Sequence, residues 1–216
     1  AEQMAGIGIK PAAILIEPAG RNTAPAVLAA ALHVAAQDPD GLILVAPSDH
    51  VVPDAEAFGR AVDRAVPLAQ AGRIVTFGIQ PTRAETGYGW LELDESADPD
   101  TAPLRRFVEK PDAATAAQML AEGDFLWNAG IFLFTARTML AAFRAHAPAF
   151  VAPVEAALAD ATPDLGFLRL APAPWNNLPD LSVDYAVMEK SDALSVVRFA
   201  EHWSDLVGWD AVWREA

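Results

Sequence analysis

The chain has no cysteine in 216 residues. Disulfide staples and thiolate chemistry are therefore excluded. Positive charge is also scarce. Fifteen Lys and Arg stand against 29 Asp and Glu, a formal net charge of −14. Such a surface does not bind nucleic acid or anionic membrane in bulk. An anionic substrate would need a metal ion or a few locally placed basic side chains. Only three lysines occur, Lys10, Lys110 and Lys190. The four histidines, His33, His50, His146 and His202, share no zinc spacing. His33 and His146 fall within predicted helices and read as structural. No apolar run reaches membrane-spanning length, and no low-complexity tract suggests disorder. Ala1 to Lys10 lacks the extended apolar core of a signal peptide. The expectation is a cytoplasmic enzyme or binding module, without nucleic acid or membrane as a partner.

What is present is a core. Hydrophobic residues make up 53% of the chain, and the length allows one large domain or two small ones. Leu42 to Ala46 is an unbroken apolar run, which reads as a strand buried on both faces of a parallel sheet. Pro47 ends it, and Ser48, Asp49 and His50 follow. A hydroxyl, a carboxylate and an imidazole thus stand at the carboxyl end of a core strand, where open α/β sheets bind ligands. Asp49 reads either as a functional carboxylate there or as a turn residue. Asp54 is the better placed helix cap.

Along the chain, strands and helices alternate. Ala1 to Ile9 is a helix end broken by Gly6 and Gly8. Ala12 to Ile16 is a buried strand. Val27 to Gln37 is a buried, alanine-rich helix, with Asn22 or Thr23 as its cap and Pro25 in its first turn. A helix over 54–69 and a strand over 73–79 follow. This rhythm predicts a three-layer α/β fold with a mostly parallel sheet. Residues 81–111 break it as an antiparallel excursion. Tyr88 to Leu93 alternates like a half-exposed strand, and Leu104 to Glu109 returns beside it. Beyond lie a helix over 111–122, entered by Asp112 and stopped at Gly123, a long apolar run over 125–135 and helices over 137–146 and 151–159. A proline-rich stretch, 163–179, resists assignment. A helix over 183–190, a strand over 194–199, a loop over 202–209 and a last helix over 210–215 complete the chain.

Two clusters carry candidate chemistry. Two of the lysines sit in Glu-Lys pairs, Glu109-Lys110 and Glu189-Lys190. Glu109-Lys110-Pro111 closes a strand, and a lysine there offers a point charge suited to phosphate. The bland alternative is a salt-bridged surface. Asp205, between Trp203 and Trp209, follows a strand as Asp49 does. Paired hard carboxylates with open positions suit Mg²⁺ bound to substrate phosphates. The alternative is a capping aspartate between core tryptophans. Thr86-Gly87-Tyr88-Gly89 precedes a strand and not a helix, so it lacks the Rossmann context of a phosphate loop, and it leaves room for a ligand to approach Gly87 or Gly89 closely.

Taken in order, these segments resemble the mannose-1-phosphate guanylyltransferases, a branch of the nucleotide-sugar pyrophosphorylases. The resemblance rests on Glu17-Pro18 with Arg21-Asn-Thr-Ala-Pro25, on Pro47-Ser-Asp-His50 and on Thr86-Gly-Tyr-Gly89. It continues through Phe107-Val-Glu-Lys-Pro111, Trp127-Asn-Ala-Gly-Ile-Phe132 and Ser182-Val-Asp-Tyr-Ala-Val-Met-Glu-Lys190. It covers nearly the whole chain.

The resemblance implies a Rossmann-like nucleotidyltransferase (glycosyltransferase-A-like) fold, with residues 1–216 as a single domain. It implies the reaction of GTP with mannose 1-phosphate, giving GDP-mannose and pyrophosphate. Asp49 and Asp205 would hold a catalytic Mg²⁺. Arg21, Asn22 and Thr23 would lie along the nucleotide, with Ser48 on the same side. Glu109 and Asn128 would hold sugar hydroxyls, Gly89 would give backbone approach and Lys110 would grip the sugar phosphate. Asp184 and Lys190 would line the same cleft. A homodimer is a permitted assembly.

Two departures from the family pattern set further expectations. The family's opening glycine-rich loop and first strand have no counterpart in residues 1–216. The expectation is a body lacking its N-terminal strand, with little nucleotidyl transfer on its own. The last motif reads Asp205-Leu-Val-Gly-Trp209 where the family has Asp-x-Gly-Ser-Trp. The rival readings are a non-catalytic module binding a nucleotide or nucleotide sugar, and a pyrophosphorylase of thymidylyl or uridylyl specificity.

Overall fold

The structure is a computed structural model that describes residues 2–94, 100–206 and 213. The chain opens with helix α1, Glu2–Gly6, and strand β1, Leu15–Ile16. Helix α2, Thr23–Ala35, starts at Asn22, whose side chain accepts from the Thr23 N–H. Strand β2, Leu42–Val45, leads to the short β3, His50–Val51. Helix α3, Ala55–Gln70, is capped by Asp54 through the Ala57 N–H. Strands β4, Ile74–Ile79, β5, Trp90–Leu93, and β6, Thr101–Val108, follow. Helix α4, Ala113–Glu122, runs from the Asp112 cap to Gly123, whose φ of 82° closes it in the left-handed region.

Strand β7, Phe125–Thr135, leads into helix α5, Ala136–His146, and then α6, Val151–Ala159. The proline-rich stretch resolves into a hairpin of β8, Thr162–Asp164, and β9, Phe167–Arg169, followed by α7, Pro172–Trp175. The hairpin forms a small sheet with β1. Helix α8, Val183–Ala186, and a single turn over Met188–Lys190 replace the one helix expected there. Strands β10, Leu194–Arg198, and β11, Ser204–Asp205, end the described chain. The expected helix over 210–215 and the Val207-Gly-Trp209 end of the last motif lie outside the described residues, as does the acidic turn over 95–99.

The main sheet is mixed, in the order β2-β7-β4-β10-β6-β5. Strands β2, β4, β10 and β5 point one way, and β7 and β6 run against them. Strand β5 also pairs with the first half of β7. Strand β7 alternates perfectly between two cores. Leu126, Phe132 and Phe134 face the helices α2 and α5 to α8, while Phe125, Trp127, Ile131 and Leu133 face α3 and α4. Helix α3 approaches closely because Ala57, Ala61, Ala65 and Ala69 form its buried stripe. This is a three-layer α/β arrangement.

Two strands differ from expectation. Leu42 and Leu44 are 39% and 41% exposed, because β2 lies at the edge of the sheet, and Ile43 and Val45 carry its packed face. It pairs antiparallel with β7, and not within a parallel core. Strand β5, read as half exposed, is buried because β6 and β7 flank it on both sides. Among the described residues no helix is long and apolar enough to cross a membrane.

Candidate active site

The site forms where β2 ends. The chain turns through Pro47 to Asp49 and enters β3, which pairs antiparallel with β11 so that His50 stands opposite Asp205. The Leu206 N–H donates to the Asp49 carbonyl at 3.1 Å. This short ladder brings ligand atoms of Asp49, His50 and Asp205 within 4.8 Å of one another. Asp49 is exposed, while Asp205 is half-buried. Asp205 Oδ1 is buried and has no hydrogen-bond partner among the described residues. A lone-pair oxygen left bare in this way fits a cation of the Mg²⁺ type, which takes one or two carboxylates and leaves its other positions to water and phosphate. Burial pushes the Asp205 carboxyl up, Asp49 adds to this, and His50 and Lys110 oppose it. Burial pushes His50 below its ordinary range, and the two aspartates pull it back.

Two cavities meet at this cluster. The larger, of about 460 Å³, is walled by Thr23, Ala26 and Val27 of α2, by Val45, and by Asp49. The smaller, of about 110 Å³, is lined by Tyr88, Gly89, Glu109, Lys110, Asn128 and Trp203. His50, Gly130, Asp184 and Asp205 belong to both.

The smaller cavity is built on carboxylates and amides. The Glu109 side chain is 6% exposed, and Lys110 Nζ stands 3.3 Å from its Oε1. Burial raises the Glu109 carboxyl to about 7, Asp184 reinforces the shift and Lys110 opposes it. Asp184 is likewise raised by burial, against its hydrogen bonds and Lys110. Asn128 donates to Asp184 Oδ1 at 3.3 Å and accepts from the Thr76 hydroxyl at 2.6 Å. The Asn128 N–H donates to the Gly89 carbonyl at 2.8 Å. A Cβ on Gly89 would lie 2.7 Å from Glu109 Oε2 and 3.0 Å from the Phe107 ring. Lys110 has φ 47°, a left-handed backbone forced on a non-glycine residue directly before Pro111.

On the other side, Arg21 Nη2 donates to the Asn176 carbonyl, and its Nε is buried without a partner among the described residues. Asn22 has φ 61° and ψ −164°, a region normally left to glycine. The Thr23 hydroxyl accepts from the Val183 N–H at 2.9 Å. The Arg-Asn-Thr turn is thus pinned to the segment that carries Asp184.

Of the residues singled out in the sequence, Thr23, Asp49, Gly89, Glu109, Lys110, Asn128, Asp184 and Asp205 line these cavities. Arg21 and Asn22 line neither, and Ser48 is exposed and also lines neither. Lys190 Nζ turns back to the Ala186 carbonyl at 3.4 Å and also stands outside both. It lies in a separate turn beyond α8. Sequence reasoning gave no role to Tyr88, Gly130, Glu189 or Trp203, and named His50 without assigning it one. Trp203 read as core, and Glu189 as a surface partner of its own neighbour.

Comparison with known proteins gives a consistent set of matches. The sequence pattern of the family described as Nucleotidyl transferase matches residues 2–216. A "Xanthan biosynthesis protein XanB" from Xanthomonas campestris pv. campestris is 44% identical over 212 residues, covering 98% of this chain and 45% of that protein. A "Mannose-1-phosphate guanylyltransferase" from Sinorhizobium fredii is 43% identical over 215 residues, covering 99% of this chain and 42% of that protein. The chain therefore spans less than half the length of these curated relatives. Among solved structures, one titled as mannose-6-phosphate isomerase from Helicobacter pylori superposes with a TM-score of 0.83 at 31% identity, covering 94% of this chain and 78% of that one.

Proposed function

The chain belongs to the nucleotidyl transferase family, and from that premise we propose that it moves a guanylyl group from GTP to mannose 1-phosphate. The products are GDP-mannose and pyrophosphate. The observation that carries this reading is the junction itself, where two carboxylates within reach of one cation stand between a larger cavity and a small polar one. The naming of the Sinorhizobium fredii relative supports the choice of nucleotide and sugar.

In this reading the nucleotide takes the larger cavity, with Thr23 in its wall and Asn22 and Arg21 in the turn that leads to it. Mannose 1-phosphate takes the smaller cavity. Glu109, Asn128 and Asp184 accept from or donate to sugar hydroxyls, and Gly89 leaves the ring room to approach the backbone. Lys110 holds the sugar phosphate as a point charge. An oxygen of that phosphate attacks the α-phosphorus of GTP in line. A new P–O bond forms, the α–β bridge breaks, and pyrophosphate leaves with the bond electrons. Little covalent work falls to the protein, so positioning two anions and screening their charge supply the catalysis. A Mg²⁺ held by Asp49 and Asp205 would neutralise charge developing on the phosphates.

The test is direct formation of GDP-mannose, with each substrate varied in turn, in the native protein and in Asp49→Asn and Asp205→Asn. Each substitution is expected to lower kcat/KM by roughly 10²-fold or more, the scale of removing one designed electrostatic partner. Tight binding of GTP or GDP-mannose with no turnover would replace the proposal with a binding module. Turnover with another nucleoside triphosphate in preference to GTP would replace its specificity.

A further inference from the structure

The cluster contains an imidazole that the proposed reaction leaves idle. His50 faces Asp205 across the β3–β11 pair, with Nε2 3.9 Å from Asp205 Oδ2. Its other nitrogen points away and accepts the indole N–H of Trp203 at 3.4 Å. The two rings meet edge to face, with centroids 5.3 Å apart. An indole N–H can only donate. The His50 Nδ1 that receives it therefore carries a lone pair and no proton, and the neutral ring's single proton stands on Nε2. With one lone pair engaged by Trp203 and the other nitrogen protonated, neither nitrogen is free to bind a cation.

We propose that His50 is a positioning residue and not a metal ligand, held by Trp203 in the Nε2–H tautomer so that its N–H dipole faces Asp205 Oδ2 across 3.9 Å and steadies that carboxylate by electrostatics, leaving Oδ1 without a protein partner. This rests on the reading of Asp49 and Asp205 as the cation pair. Three observations support it. Asp205 Oδ1 is the buried oxygen without a partner among the described residues, and the groups around a ligating carboxylate fix its orientation. The ring lies beside the β7 backbone, since a Cβ built on Gly130 would meet Cε1 at ordinary contact distance, 3.6 Å. Trp203 is in turn buttressed by Tyr88, with ring centroids 5.4 Å apart, and Tyr88 also meets Trp127 edge to face. The loop that lines the sugar cavity is thereby linked through packed rings to the orientation of Asp205.

The test reads the imidazole and the cation separately. Long-range ¹H–¹⁵N correlation spectra of the full chain give each histidine's tautomer, and the signals lost in His50→Gln identify His50. The expected result is the Nε2–H tautomer both without metal and with Mg²⁺, and its loss of preference in Trp203→Phe. Mn²⁺ binding followed by electron paramagnetic resonance is expected to weaken roughly tenfold in His50→Asn, the lower end for loss of a group that orients a ligand. His50→Gln, whose amide N–H can occupy the Nε2 position, is expected to restore it to within about threefold. An Nδ1–H tautomer, or nitrogen modulation showing an imidazole bonded to Mn²⁺, would overturn the proposal. Unchanged Mn²⁺ binding in Asp205→Asn would overturn it by a different route, by removing the cation pair, and is distinguishable because the tautomer is read without metal.

Discussion

The backbone N–H of Glu109 donates to Oε1 of Glu189, 2.8 Å away in space and 80 positions away in sequence. The two Glu-Lys pairs of the sequence therefore lie against each other, and the second anchors the first. The anchored residue is followed by Lys110, whose φ of 47° needs support from its surroundings. Glu189→Ala is expected to cost about 1 kcal/mol of stability, the usual net worth of one hydrogen bond at a partly exposed site. It should also raise KM for the sugar phosphate several-fold, while Glu189→Gln keeps an acceptor and shows the smaller change. Denaturant titration and steady-state kinetics check both. A Glu189→Ala protein with wild-type stability and KM would remove the anchoring role.

Lys110 allows charge and backbone strain to be separated. Lys110→Ala and Lys110→Gly both delete the ammonium, so each should weaken productive use of mannose 1-phosphate by about 1.5–3 kcal/mol, the worth of a charge-assisted contact. GTP dependence should change little. The two variants should differ in stability, because glycine relieves the left-handed backbone and alanine does not. Lys110→Gly is expected to be the more stable by about 1 kcal/mol. Kinetics that vary each substrate, together with thermal unfolding, give both readings. Equal stability would show that the turn is not strained.

Much of this was legible in the residues. Asp54, Asp112 and Gly123 announced the ends of α3 and α4 by type alone, because caps are local chemistry. The long apolar run over 125–135 is β7, though such a run does not by itself separate a strand from a buried helix. What escaped was what depends on neighbours. Leu42 to Val45 has the composition of a central strand, yet its burial is decided by which strands lie beside it. The β8–β9 hairpin turns through Leu165 and Gly166, at φ 48° and 87°, and the leucine in the first place, where asparagine, aspartate or glycine is usual, masks the turn that Gly166 marks. In the site, Asp49 and Asp205 were readable because both follow strands. The contacts of Trp203 with His50, and of Glu189 with Glu109, join segments far apart in sequence, and no spacing rule reports them.

Glu109 should make stability fall as pH rises. Its carboxyl stands near 7 in the folded protein against an ordinary value of 4.5, chiefly through burial and then through Asp184. Between those values the folded chain keeps a proton that the unfolded chain has released. The stabilisation is complete below pH 4.5 and is lost as pH climbs through 7. Glu109→Gln keeps the shape and removes the titration. Relative to the native protein it should be more stable at pH 8 by up to about 3 kcal/mol, and close to equal at pH 4. Denaturant midpoints measured across pH 4–8 decide this. Parallel curves for the two proteins would mean that Glu109 is ionised throughout.

The last prediction concerns how Asn128 is aimed. Its Oδ1 receives the Thr76 hydroxyl at 2.6 Å and the Gly130 N–H at 3.2 Å, which leaves its amide N–H₂ directed at Asp184. Thr76 is fully buried on β4, and Asn128 is 7% exposed on β7. Thr76→Val replaces the hydroxyl by a methyl of similar size, so packing is nearly kept while one donor is lost. The acceptor it served keeps only the Gly130 N–H, and the expected cost is about 1–2 kcal/mol. Asn128→Asp tests the other end. Its carboxylate can still accept from Thr76 and Gly130, but it presents an acceptor to Asp184 where a donor stood. Two carboxylates then face each other beside Glu109, so one of them must take up a proton. Asn128→Asp is therefore expected to damage sugar-phosphate kinetics more at pH 8 than at pH 6, whereas the defect of Thr76→Val is the same at both. Pairing kcat/KM for mannose 1-phosphate at the two pH values with unfolding of each variant checks the split. A pH-independent defect in Asn128→Asp would show that its side chain does not meet Asp184 in the working enzyme.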